Sequence, residues 1–224
     1  MQFCFNIEFC INFVAQSTFI MNQKHQEDLS HIRSMMERSS RFISLSGLSG
    51  VFAGFAALLG GGYIYFRLKM LGVDYSSTAD RVYNSNIIVE FFIVALMVLL
   101  FALAFGAFFT IRKSKKNNLP IWTSATKNVL INLLIPLSVG AFFCGSLYLH
   151  QLFVYIAPAT LLFYGLALVN AEKYTFSDIK YLGYLELILG VVSLFYLGKG
   201  LLFWIVGFGF LHVLYGLIMY KKYK

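Results

Sequence analysis

Six apolar runs constrain this chain more than any other feature. They cover residues 42–65, 86–110, 129–149, 152–170, 181–197 and 201–220. Each is close to the roughly 20 residues that carry a helix across a hydrocarbon core of about 30 Å. None shows the period-two alternation of a membrane β-strand. Of the 224 residues, 59% are hydrophobic and 12% charged, where a soluble domain carries roughly 25% charged residues. A soluble enzyme, a disordered chain and a collagen-like chain are excluded. The expected fold is an all-α membrane protein of six transmembrane helices.

The net charge of +8 reports topology rather than a nucleic-acid partner, because the basic residues lie between the apolar runs. Lys24, Arg33, Arg38, Arg41, Arg112, Lys113, Lys115, Lys116, Lys127, Lys173, Lys180, Lys221, Lys222 and Lys224 fall on one side. Arg67, Lys69, Arg81 and Lys199 fall on the other, a split of fourteen to four. Basic residues collect in cytoplasmic loops, so both termini are expected inside. His150-Gln151 joins the third and fourth runs and Gly198-Lys199-Gly200 the fifth and sixth. Links that short make antiparallel hairpins of adjacent helices.

The chain divides into residues 1–20, 21–41, the bundle at 42–220 and a basic tail at 221–224. Residues 1–20 lack the charge and cleavage pattern of a signal peptide. They are expected to stem from an upstream start codon, with Met21 the natural start; the alternative is a short segment lying on the membrane. In 21–41, Leu29, Ile32 and Met36 make a thin apolar stripe with Arg33 and Arg38 off it. That pattern reads as an amphipathic helix at the cytoplasmic interface, or as a solvated lead-in.

Inside the bundle, Gly47, Gly50, Gly54, Ala57 and Gly61 step by three and four along one helix face. Small residues let a second backbone approach closely, from the same chain or from a second copy. Gly60-Gly61-Gly62 is expected to loosen the helix, since glycine is costly in a helix interior.

Glu186 is the most informative residue. It shares the small face of the fifth helix with Gly183, Gly190 and Ser193. An ionisable side chain in lipid is expensive and points to a partner. Glu186 lies thirteen residues before Lys199 and His212 thirteen after it. Equal distance from the turn of an antiparallel pair means equal depth. Glu186 and His212 are therefore expected to meet, with Tyr215 close enough to join. A carboxylate and an imidazole can relay a proton or hold a cation, or simply fix helix register. Glu90, near the outer end of the second helix, reads as an interfacial carboxylate. Asn132 and Asn170 are buried amides of the kind that link helices. Pro136 and Pro158 are expected to interrupt the third and fourth helices. Tyr164-Gly165-Leu166 recurs at Tyr215-Gly216-Leu217, a hint of internal duplication.

No HExxH, GxSxG, Walker A or dinucleotide fingerprint is present. Cys4, Cys10 and Cys144 have no metal-ligand spacing. No metal centre, cofactor or nucleic-acid partner is expected; the partners are the lipid bilayer and a protein partner or homodimer.

Several stretches resemble a family of uncharacterised multi-spanning membrane proteins of Bacteroidota. They are Met35-Met36-Glu37-Arg38-Ser39-Ser40-Arg41-Phe42-Ile43-Ser44-Leu45-Ser46-Gly47-Leu48-Ser49-Gly50, Thr110-Ile111-Arg112-Lys113, Phe163-Tyr164-Gly165-Leu166-Ala167-Leu168-Val169-Asn170 and Phe203-Trp204-Ile205-Val206-Gly207-Phe208-Gly209-Phe210-Leu211-His212. The resemblance implies a multi-pass protein of the bacterial inner membrane with no established activity. Such proteins have sometimes carried a carotene-cleaving oxygenase label. That chemistry uses iron held by four histidines, and His25, His31, His150 and His212 are too far apart in the topology to share one ion. The expected role is non-enzymatic: structural, sensory or accessory to a partner. The alternative is a small secondary transporter or proton- or ion-translocating protein using Glu186 and His212.

Overall fold

The computed structural model describes residues 47–72, 85–118 and 120–223, with Ser85, Asn86 and Ile88 in backbone only. The expectations for residues 1–41, for the start of the first run and for most of the loop before Ser85 lie outside them.

The described residues form six helices and no strand. Helix α1 is Gly47–Met70, α2 is Ser85–Lys116 and α3 is Ser124–Leu149. Helix α4 is Ile156–Ala171, extended by single 3-10 turns to Phe153–Tyr174. Helix α5 is Ile179–Phe195. Helix α6 is Leu197–Lys222 and changes character twice, through Gly200–Trp204, a π-helical segment Ile205–Leu211, and His212–Lys222. All but α5 are long and apolar enough to cross a membrane. The 17 residues of α5 rise about 26 Å, at the short end of the spanning range.

Several boundaries differ from the sequence reading; α1, for one, runs on past Tyr65 to Met70. Helix α2 continues through Arg112 to Lys116, so that basic stretch is helical rather than loop. Nothing before Asn117 breaks it, and lysines in a last turn complement the helix dipole; Asn118, with φ of 51°, ends it. Helix α3 starts early because Thr123 and Thr126 form a reciprocal capping pair, which satisfies free N–H groups of the first turn. Pro158 is the third residue of α4, where no intrahelical N–H is needed, so it opens that helix rather than interrupting it.

The α3–α4 turn is a Schellman motif. Leu152 N–H bonds Leu147 O at 2.8 Å and Gln151 N–H bonds Tyr148 O at 3.0 Å. Gln151 holds the left-handed position, φ 59°, usually taken by glycine.

Small residues set the packing. The stripe on α1 lies along α6 in antiparallel sense. Gly47 meets Tyr220 and Gly216, Gly50 meets Gly216 and His212, Gly54 meets Gly209 and Val213, and Gly61 meets Ile205 and Trp204. Ala57 in the same stripe is 2% exposed. The triple glycine does not loosen α1, which is continuous across it. Gly60 sits against Val98 of α2 and Gly61 against α6, so packing overrides the local propensity. Helix α2 packs on α1 through Phe52, stacked on Phe105 and Phe109 at 5.0 and 5.1 Å. Across α4 and α5, Gly165 faces Gly183 and Leu187, and Gly190 faces Leu162. Helix α3 joins α4 where Gly140 meets Phe163. The long contact of α5 is thus with α4; it also touches α6, where Glu186 meets Gly207 and where Ile179 and Leu182 meet Leu211 and Tyr215.

One polar contact explains a proline. In an α-helix the carbonyl of Asn132 would accept from the N–H of residue 136, and Pro136 has none. The Asn170 side chain donates to that carbonyl at 3.0 Å, joining α4 to α3. The Asn132 amide instead donates to Asn128 O in its own helix at 2.8 Å.

Two measurements test these contacts, both by thermal or denaturant unfolding in lipid or detergent. Asn170→Ala should cost about 1 kcal/mol, and the cost should shrink in a Pro136→Ala background, where the restored N–H fills the carbonyl. Equal costs in both backgrounds would remove the explanation. Gly216→Ala should destabilise strongly, because its new Cβ would lie 2.5 Å from Val51 N and 2.7 Å from Gly47 O. Gly62→Ala, with open space around it, should be neutral or stabilise by up to about 1 kcal/mol.

Candidate functional site

The centre of the bundle holds an ionisable cluster from three helices. Glu186 of α5 is fully buried, 0% exposed, and His212 of α6 is 7% exposed. His212 Nδ1 stands 3.4 Å from Glu186 Oε1. Glu186 reaches α6 because residue 207 is glycine; a Cβ there would lie 2.5 Å from Oε2 and 2.6 Å from Leu161 Cδ2. Neither carboxylate oxygen has a hydrogen-bond partner among the described residues.

The imidazole is oriented from both sides. The π-helical segment ends at Leu211 and alters the backbone bonding there. His212 N–H bonds Gly209 O, and the Gly207 carbonyl faces the ring, with Nδ1 at 3.0 Å. A carbonyl can only accept, so Nδ1 carries a proton. In the neutral ring Nε2 is then an acceptor, and the Tyr164 hydroxyl, 2.8 Å away, donates to it. Phe208 stacks on the ring at 5.8 Å and Tyr164 lies tilted to it at 5.3 Å. Helical π-segments recur at functional sites; this one turns a backbone carbonyl toward a side chain.

The third member of the cluster is Tyr164, not Tyr215. The Tyr215 hydroxyl is buried without a partner among the described residues, while its ring packs on Leu168, Ile179 and Leu182. Tyr164 stands at the same place in the repeated Tyr-Gly-Leu triplet, and that repeat was the available signal. Gly207 carried no signal apart from being small.

The other polar residues lie elsewhere. Glu90 Oε1 accepts from Tyr63 Oη at 2.6 Å and Arg67 Nε at 3.0 Å, so it joins α2 to α1 at the end opposite Gly47. Asn132 and Asn170 serve the α3–α4 contact. Asp178, just before α5, binds Lys222 Nζ at 2.8 and 2.9 Å and the Tyr223 hydroxyl at 2.8 Å. The Lys222 ammonium, helped by that hydroxyl, holds the Asp178 carboxyl below the usual carboxylate range. This latch therefore contributes stability above the ordinary carboxylate pKa and loses it only as pH falls through the lowered one. Lys113 of α2 adds to the same end, donating to Tyr223 O at 3.3 Å and lying 5.7 Å over the Phe176 ring.

No three His, Cys, Asp or Glu side chains among the described residues are grouped to hold a metal. No family model matches the chain, and neither a curated protein nor a solved structure matches it. What the site can do must come from its chemistry: a carboxylate, an imidazole and a phenol in contact, able to exchange a proton.

The two tyrosines separate by stability. Tyr164→Phe leaves Nε2 without its donor and should cost about 1–3 kcal/mol. Tyr215→Phe removes a hydroxyl with no partner and should be neutral or stabilising. Unfolding of both variants in one lipid composition decides; equal losses would contradict the assignment of Tyr164 to the cluster.

Proposed function

We propose that this chain is a six-span protein of the bacterial inner membrane, with both termini in the cytoplasm, that takes up and releases a proton at the Glu186–His212 pair. The role is non-enzymatic: proton sensing or proton-coupled translocation. One observation carries the reading. Glu186 is wholly buried, touches His212, and has no hydrogen bond to either oxygen from the described residues. A pair kept only to fix helix register would be fully satisfied, since a half-satisfied buried network is less stable than an apolar core.

The six-span topology rests on the parity of the links, the basic side chains at one end and the length of α5. That end carries the last turns of α2 and α6 and the Lys173–Lys180 stretch. Lys127 lies over Trp122 at 5.9 Å and Lys180 over Tyr181 at 5.6 Å, the pairing expected where aromatic rings and snorkelling lysines meet head groups. Kinship with the multi-spanning proteins of Bacteroidota is part of the same proposal.

A second reading is structural or accessory. Helix α2 packs on α1 and leaves Phe92, Leu96, Leu99, Leu103 and Phe108 exposed, a face suited to lipid, a protein partner or a second copy.

Infrared difference spectroscopy of the full chain in nanodiscs separates the two. The proton reading expects a carboxylic C=O band that titrates with pH and disappears in Glu186→Gln, while the variant keeps its unfolding temperature. A band that never titrates, together with a variant that loses stability, would leave only the structural reading.

A further inference from the structure

Two buried hydroxyls outside the central cluster, those of Tyr215 and Ser193, have no hydrogen-bond partner among the described residues. Their positions differ. Ser193 lies seven residues past Glu186 on α5, toward the α5–α6 turn. Tyr215 lies three residues past His212 on α6, toward the basic end of the bundle.

Tyr215 packs against Leu168 of α4 and Ile179 and Leu182 of α5, and Tyr164 packs on the same group. Ile179 follows directly on Asp178. Tyr215 therefore stands at a depth between the Glu186–His212 pair and the Asp178–Lys222–Tyr223 latch. Apart from Tyr164, the other side chains of that cluster, Leu168, Ile179, Leu182 and Leu211, are apolar. A buried hydroxyl without a partner calls for an explanation. Packing does not supply one, because a phenylalanine would fill the same shape.

We infer that Tyr215 is the relay through which Glu186 and His212 exchange protons with the Asp178 end of the bundle. The inference rests on the reading of Glu186 as a proton site. A phenol is suited to this because it both donates and accepts. In each passage its oxygen accepts a proton from a water molecule on the surface side and releases its own proton toward the cluster. One O–H bond forms as another breaks, and the hydroxyl ends unchanged. The relay requires a water molecule on either side of the hydroxyl, of the kind that bridges buried polar groups in proteins generally.

The ionisable groups around this path come from four helices. Helix α2 brings Lys113, α4 brings Tyr164 and, just past its end, Glu172, α5 brings Glu186, Lys180 and the preceding Asp178, and α6 brings His212, Lys222 and Tyr223. The described part of α1 brings none, since Tyr63, Tyr65, Arg67 and Lys69 fall in its last two turns at the other end.

The test follows the Glu186 carboxyl band after a pH jump, with the full chain in nanodiscs. Tyr215→Phe should slow the appearance of the band by at least about tenfold, with the same final spectrum and an unchanged unfolding temperature. Ser193→Ala, on the far side of Glu186, should leave the rate as in the parent. An unchanged rate in Tyr215→Phe overturns the relay while the titrating band leaves the Glu186 reading intact. A parent protein with no titrating band removes both. Should Tyr215→Phe fail to fold, fluorotyrosine at position 215 keeps the shape and makes the hydroxyl more acidic; a rate indifferent to that change overturns the relay equally.

Discussion

The close approach of α1 to α6 is the contact on which the rest of the bundle depends. These are the first and last helices described, and Gly50, Gly54, Gly209 and Gly216 let their backbones meet almost without intervening side chains. Helix association in lipid gains little from hydrophobic transfer and relies on close packing. The contact does more than join two ends of the chain. It fixes α6 from one side, leaving Gly207 and the His212 ring to face α4 and α5. Enlarging any of those glycines would shift the helix that carries the imidazole.

A second constraint is the hydrogen-bond accounting of a backbone without water. Two places show how the chain meets it. Pro136 removes an N–H from α3, and the carbonyl so released is taken by Asn170. The π-helical segment redirects the bonding before His212, and the Gly207 carbonyl is taken by the ring. In the first case the partner is a neighbouring helix and the result is a joint. In the second the partner is the adjacent side chain and the result is a defined tautomer. The same rule thus yields architecture at α3–α4 and chemistry at α6.

The helices themselves were legible, because long apolar runs leave few alternatives to a membrane-length helix. The distances from Lys199 set Glu186 and His212 opposite each other by counting alone, and the structure holds them 3.4 Å apart. Partner choice was less legible. Periodicity identifies the small face of α1 but does not say which helix covers it, since any backbone fits glycine. The same limit misdirected the phenol. Tyr215 is nearer to His212 in sequence, but side chains three apart on α6 point along one helix face, whereas Tyr164 comes from α4 and faces the ring across the interface. Gly207 was hidden because its importance lies in a π-helical register that local propensity does not announce.

The way α5 is held then decides how a charge change in the interior would act. At one end Asp178 is tied to Lys222 and Tyr223, at the other a short turn leads directly into α6. Between them the polar meeting point is Glu186 with His212. The end contact is half in water, where ion pairs are screened and worth little. The interior contact is shielded, where electrostatic interaction is far stronger. Adding or removing a proton at Glu186 therefore alters the strongest polar term between the two helices while both ends stay attached. The motion open to α5 is a change of bow or rotation against Gly207, not a separation. Gly207 makes that motion sensitive, since the carboxylate rests against bare backbone there with no side chain to cushion it.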